Sequence, residues 1–152
     1  MDYARLPHPV TILVAEDDPE DRLLARKALS ESRRVDDVRF VEDGVELLAY
    51  LRQEGAYEAP GLAPVPGIIL LDLNMPCVDG WEALAAIKQD ARLRHIPIVV
   101  LTTSRADEDV LRSYGLGANS FITKPASFGD LIHVMNGFLH YWLDIARLPH
   151  VN

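Results

Sequence analysis

Two hydrophobic rhythms alternate along the chain, and their order predicts its layers. Val10–Ala15 is a compact apolar run, rich in β-branched residues, that stops abruptly at Glu16-Asp17-Asp18-Pro19. A run of this kind reads as a strand buried on both faces. Asp18-Pro19 has the form of a helix start, with Asp as N-cap and Pro at the first helical position. Leu23, Leu24, Ala28 and Leu29 then recur at helical spacing. The same pairing repeats. Val35–Val41 predicts a second strand, followed after Asp43-Gly44 by a helix carrying Val45, Leu47, Leu48 and Leu51. Ile68–Leu71 predicts a third strand ending at Asp72, and after Asp79-Gly80 a helix with Trp81, Leu84 and Ile87. Pro97–Leu101 predicts a fourth strand ending at Thr102, then a short helix over Asp107–Tyr114 closed by Gly115. Ser120–Thr123 predicts a fifth strand ending at Lys124-Pro125, and the last helix runs from about Phe128 to Ile145.

Apolar strands alternating with amphipathic helices predict an α/β fold, a doubly wound parallel sheet of five strands with helices on both faces. One stretch breaks the rhythm. Ala59–Gly67 is rich in Pro and Gly, too stiff and too poor in N–H donors to be strand or helix. It lies inside the alternation and so marks no domain boundary. The expected organisation is one domain over residues 10–145 with tails at 1–9 and 146–152. Ala4-Arg5-Leu6-Pro7-His8 recurs as Ala146-Arg147-Leu148-Pro149-His150. Five residues are too few for a structural repeat, and the echo is read as coincidence or a resemblance between the tails.

Composition narrows the function. A chain of 152 residues holds one ordinary domain and a short appendage. The net charge of −8, with no basic cluster, argues against a nucleic-acid surface or docking on an anionic membrane. No apolar run approaches the ~20 residues of a membrane span. Met1–Pro7 lacks the basic-then-apolar pattern of a secretory signal. A single cysteine, Cys77, permits no internal disulfide and fits a reducing cytoplasm; it is read as an incidental thiol. His8, His95, His133, His140 and His150 show no metal-ligand spacing.

In open parallel sheets, ligands bind beyond the carboxyl ends of the strands. That edge collects Glu16 and Asp17 after the first strand, Asp72 after the third, Thr102 at the fourth and Lys124 after the fifth. Three carboxylates packed together repel and resist ionising. A hard divalent cation that prefers oxygen ligands, with Mg²⁺ as the expected cofactor, relieves the conflict. Asp72 can then attack a phosphoryl group while the metal and Lys124 neutralise charge on its oxygens. The Thr102 hydroxyl can donate to another of those oxygens. The backbone carbonyl of Asn74, two residues past Asp72, is placed to be a further metal ligand. Thr103 is read as a β-former only.

Glu16-Asp17, Asp72-Leu73-Asn74-Met75-Pro76 with Asp79-Gly80, Thr102-Thr103-Ser104 and Lys124-Pro125 together resemble the receiver domain of two-component response regulators. The resemblance covers about Val10 to Leu139. It implies a flavodoxin-like sheet of strand order 2-1-3-4-5. It also implies that Asp72 is the phosphoacceptor of a histidine kinase and that Glu16 and Asp17 are the metal-binding acids. Glu16 is one methylene longer than the Asp often found there. Thr102 and Lys124 would be the phosphate-sensing hydroxyl and lysine, Phe121 the aromatic switch residue, and the Lys124–Pro125 peptide cis. On this basis the chain is expected to be a stand-alone cytoplasmic phosphoacceptor, catalysing only its own phosphorylation and dephosphorylation. The Pro-rich loop, the Leu101–Ser104 run and the ending Phe138-Leu139-His140-Tyr141-Trp142-Leu143, then Leu148-Pro149, resemble more narrowly the single-domain regulators that partner bacterial phytochromes.

Two other readings compete. One is a receiver fold used for docking without phosphorylation. The other is an aspartate-nucleophile phosphatase of the haloacid dehalogenase type. That family wants a second Asp where this chain has Asn74, and the substitution disfavours it. The last helix carries two apolar stripes, Leu131, Met135, Phe138, Trp142 and Ile145, and Ile132, Leu139, Leu143 and Ala146. A surface helix needs one. With Gly137 at mid-helix, the second stripe is expected to meet another copy, giving a homodimer through the last helix and its neighbouring strand.

Overall fold

The three central strands are buried along their whole length because both faces of the sheet are covered. In the computed structural model, which describes residues 10–31 and 37–149, the sheet comprises β1 (Thr11–Ala15), β2 (Asp37–Val41), β3 (Ile68–Leu71), β4 (Ile98–Thr102) and β5 (Ser120–Thr123). All neighbouring pairs are parallel, in the order β2-β1-β3-β4-β5. This is the expected doubly wound arrangement. The helices are α1 (Pro19–Ser30), α2 (Gly44–Arg52), α3 (Gly80–Gln89), α4 (Asp107–Gly115) and α5 (Phe128–Leu139).

Alternate strand residues face opposite layers. On one face Ile12, Val14, Ile68, Leu70 and Val99 pack with Leu29 of α1 and Met135, Phe138 and Leu139 of α5. On the other, Leu13, Ile69, Leu71 and Val100 pack with Leu47 of α2 and Leu84 and Ile87 of α3. The starts of α1, α2, α3 and α5 are fixed by side-chain caps. Asp18 accepts from Glu20 N, Asp43 from Glu46 N, Asp79 from Glu82 N and Ser127 from Asp130 N, each satisfying a donor the first helical turn leaves open.

The Pro-rich loop is held from outside. Its carbonyls at Leu62, Ala63 and Pro64 accept from Arg39 Nη1, Gln53 Nε2 and Tyr50 Oη. A segment with few N–H groups of its own is thereby pinned by its acceptors.

Several expectations change. Leu23 and Val45 are 51% and 54% exposed, so the apolar stripes of α1 and α2 are narrower than the spacing suggested. The residue that turns the chain after α4 is Gly117 at φ +106, not Gly115. The last helix is α-helical only to Leu139 and continues as a π turn over His140–Ile145, where Ala146 N donates to Tyr141 O at 2.6 Å. Both of its stripes are largely used by its own sheet. Leu131, Ile132, Trp142 and Leu143 pack against the cluster that buries Met135, Phe138 and Leu139. Gly137 has no heavy atom within 4 Å of where a Cβ would sit. Among the described residues the peptide bonds are trans, Lys124–Pro125 included. Val35 and the first copy of the five-residue echo lie outside the described residues. Among the described residues no helix is long and apolar enough to cross a membrane.

Candidate functional site

The pocket is built by continuing the sheet ladder one residue past its strands. Glu16 N donates to Val41 O, Asp72 N to Ala15 O and Lys124 N to Thr102 O. Each of these three residues is thus held by a backbone bond at the moment its strand ends. Their side chains point the same way and meet. Lys124 Nζ lies 2.8 Å from Glu16 Oε1 and 3.2 Å from Asp72 Oδ2, although 108 and 52 positions of sequence separate the partners.

The loop after β3 is shaped around the Asp72 carboxylate. Asp72 Oδ1 accepts from Asn74 N at 3.0 Å, a local turn that fixes the side chain and leaves Oδ2 toward Lys124. That loop is also bracketed by two helix starts. A Cβ on Gly80 would lie 2.4 Å from Leu73 Cα and 2.5 Å from Asp72 O, and one on Gly44 would lie 2.1 Å from Val78 O.

The acidic pair divides in exposure. Glu16 is buried, Asp17 exposed and Asp72 buried, yet one carboxylate oxygen from each lies within 4.8 Å of the others. The β1–α1 loop carrying the pair is clamped by Arg22. Its Nη1 donates to the carbonyls of Glu16 and Asp17, and its Nη2 pairs with Glu42 Oε1. Burial, then the neighbouring Asp72 carboxylate, push Glu16 up to about 9, against the pull of Lys124. Burial alone would lower the Lys124 ammonium, but its hydrogen bond to Glu16 and the charge of Asp72 raise it overall. The pocket therefore holds more carboxylate than a single ammonium balances.

Among the described residues two buried side-chain polar atoms have no protein partner, Glu16 Oε2 and Thr102 Oγ1. A cluster of hard oxygen donors with one orphaned carboxylate oxygen fits an oxygen-preferring divalent cation. Thr102 is fully buried at the end of β4. An orphaned hydroxyl there offers a donor to an oxygen-rich group arriving at Asp72. Asn74 is exposed at the pocket rim. Phe121 pairs with Val100 in the β4–β5 register and packs, half-buried, against the α2–α3 core. Cys77 is exposed.

Two participants escaped the sequence reading. Arg22 is one. The other is Asp21, whose Oδ2 lies 3.4 Å from Lys124 Nζ. The available signal was helical geometry: with Asp18 as cap, position 21 falls in the first turn of α1, facing the strand ends.

Comparison with known proteins agrees with this geometry. The model of the response regulator receiver domain matches residues 12–136. The response regulator Rcp1 of Synechocystis sp. is 41% identical over 141 residues, covering 93% of this chain and 94% of Rcp1. Its Mn²⁺-bound crystal structure superposes with a TM-score of 0.86. The phosphorylated cyanobacterial phytochrome response regulator RcpA is 43% identical, covers 94% of this chain and 100% of its own, and gives a TM-score of 0.87. RPA3017, a response regulator in red light signaling of R. palustris, is 34% identical, covers 93% of this chain and 99% of its own, and gives 0.88.

Proposed function

This chain belongs to the response-regulator receiver family, and from that premise we propose that it is a phosphorylation switch charged at Asp72 by the phosphohistidine of a histidine kinase. The observation that carries the proposal is the meeting of Lys124, Glu16 and Asp72 beside the orphaned Thr102 hydroxyl. An Asp72 carboxylate oxygen forms the new P–O bond as the P–N bond to the donor histidine breaks, and the departing imidazole takes up a proton. Lys124 and Thr102 supply N–H and O–H donors to the phosphoryl oxygens, where charge is greatest. Glu16, Asp17, Asp72 and the Asn74 carbonyl would hold Mg²⁺, which when bound supplies charge neutralisation to both the carboxylates and the phosphoryl group. Turnover is confined to the chain's own phosphorylation and its hydrolysis.

The readout follows from packing. Drawing the Thr102 hydroxyl toward the phosphoryl group vacates space at the β4 end, and Phe121, half-buried on the adjacent strand, moves inward to fill it. The surface made by α4, β5 and α5 changes with it, a local charge event biasing a two-state element. The receiver unit is assigned to residues 10–145, with tails at 1–9 and 146–152. The red-light and phytochrome relatives support a bacteriophytochrome-type kinase as donor, and hence a cytoplasmic place of work. A homodimer through the last helix is supported by Tyr141 and Ile145, 50% and 59% exposed beyond α5. Its test is a molar mass by light scattering that rises with concentration; a monomer mass at every concentration removes the dimer.

The deciding experiment is intact-mass spectrometry after incubation with acetyl phosphate and Mg²⁺, for the native chain and Asp72→Asn. One phosphoryl increment that requires Mg²⁺ and vanishes in the variant is the expected result. No increment, together with no binding of beryllofluoride and Mg²⁺, would leave the fold as a docking module only.

A further inference from the structure

An ammonium group has three protons, and in this pocket all three are spoken for. Lys124 Nζ lies 2.8 Å from Glu16 Oε1, 3.2 Å from Asp72 Oδ2 and 3.4 Å from Asp21 Oδ2, with its side chain only 15% exposed. The three carboxylates are not equivalent. Glu16 and Asp72, with Asp17, form the group whose oxygens are close enough together to share one cation; Asp21 is outside that group. Asp21 also arrives from a different element. It sits in the first turn of α1, three residues after the cap Asp18, where the helix N-terminus favours a charged carboxylate. It lines the same small cavity as Glu16, Asp72 and Lys124.

A divalent cation on the acidic group changes the balance around Lys124. Its two nearest partners are then engaged elsewhere, and a double positive charge stands within a few ångströms, repelling the ammonium. Without another anchor, a long lysine side chain would relieve that repulsion by turning to solvent. We propose that Asp21 is a positioning residue that keeps the Lys124 ammonium aimed at Asp72 once a divalent cation has claimed Glu16 and Asp72. This rests on the reading of Asp72 as phosphoacceptor. One ammonium proton stays with Asp21, and the other two are released to meet the incoming phosphoryl oxygens. Asp21 thus acts through Lys124 and touches neither the phosphoryl group nor the metal.

The test compares the full-length native chain with Asp21→Asn and Asp21→Glu by two readouts. The first is the ¹⁵N-resolved Lys124 ammonium signal with and without saturating Mg²⁺. In the native chain it stays ordered in both conditions. In Asp21→Asn it is ordered without Mg²⁺, where Glu16 and Asp72 still hold it, and mobile with Mg²⁺; Asp21→Glu restores order. The second is the rate of phosphoryl uptake from acetyl phosphate at saturating Mg²⁺. We expect a fall of roughly two- to fivefold in Asp21→Asn, the scale of one partly exposed ion pair, with recovery in Asp21→Glu. A Lys124 signal unchanged by the Asn substitution in Mg²⁺, or equally loosened without Mg²⁺, overturns the proposal whatever the rates. Should the native chain itself take up no phosphoryl group, the reading of Asp72 fails, and the Lys124 signal still decides the role of Asp21.

Discussion

Replacing Thr102 by Val should make the unphosphorylated protein more stable while weakening its response to phosphoryl analogues. Thr102 is fully buried, and its Oγ1 has no hydrogen-bond partner among the protein groups. A buried hydroxyl left unpaired costs about 1–3 kcal/mol on protein scales. Valine keeps the branched shape and the strand preference of threonine, so packing on the α2–α3 face, which Thr102 shares with Ile98 and Val100, is preserved. The substitution therefore returns most of the hydroxyl's penalty, an expected gain of about 1–2 kcal/mol. For a chain of this size each kcal/mol moves Tm by about 2–4 °C, so the shift should be about +2 to +8 °C. The measurement is thermal and urea unfolding in EDTA, followed by the same scans with Mg²⁺ and beryllofluoride. In the second condition the order should reverse in degree: the analogue should stabilise the native chain more than Thr102→Val, because only the native hydroxyl can donate to it. Thr102→Ser separates the parts, since it keeps the hydroxyl and loses a methyl. It should lose stability in EDTA yet keep the full analogue response. A Thr102→Val protein less stable than the native chain in EDTA would refute the argument, because the hydroxyl would then be satisfied at rest.

Other substitutions probe the frame around the site. Gly80→Ala should destabilise by about 1–3 kcal/mol by overpacking, despite the helix preference of alanine, because its Cβ would press on Leu73 Cα and Asp72 O; a urea midpoint equal to or above the native one would contradict this. Gly137→Ala meets open space and should gain up to about 1 kcal/mol of helix stability, read as a raised Tm in dilute protein; if the same change lowers the molar mass at high concentration, Gly137 lies in a dimer contact. The Tyr50 phenol donates to Pro64 O, and burial is the main cause that pushes it up to about 12. Its folded value lies above the unfolded one, so its contribution is complete below about pH 10 and is lost as pH rises toward 12. Urea midpoints at pH 9.5 and 11.5 should fall less in Tyr50→Phe than in the native chain, and an equal fall would exclude the phenol.

What the sequence could tell follows from how local the cause was. Strand ends were legible because an apolar β-branched run stopping at a polar residue is a signal contained in six or seven positions, and four such stops delivered Glu16, Asp72, Thr102 and Lys124. Caps were legible for the same reason, as at Asp18-Pro19. Asp21 and Arg22 were not, since each has meaning only through partners that the chain brings from elsewhere: Lys124 for Asp21, and Glu42 for Arg22. Leu23 and Val45 looked like core because spacing alone sets no width to a buried stripe; how much of a helix is covered is decided by the neighbouring layer. The end of the last helix follows the same logic. Residues 140–145 carry apolar periodicity enough for an α-helix, but the chain widens into a π turn that brings Trp142 and Leu143 onto the sheet. Ile132, Leu139 and Leu143 of the second stripe pack on their own sheet.

The order of strands in the sheet is also an order in time. A ribosome makes the acids of the β1 and β3 ends first and Lys124 last, just past the edge strand β5. Until β5 docks on β4, an emerging chain presents Glu16, Asp17 and Asp72 with no counter-charge from Lys124. Such a fragment lacks the ammonium that orders the pocket. On the proposed reading, phosphoryl uptake at Asp72 is thereby tied to completion of the sheet, because half-made or C-terminally clipped copies lack the lysine that would meet the phosphoryl oxygens.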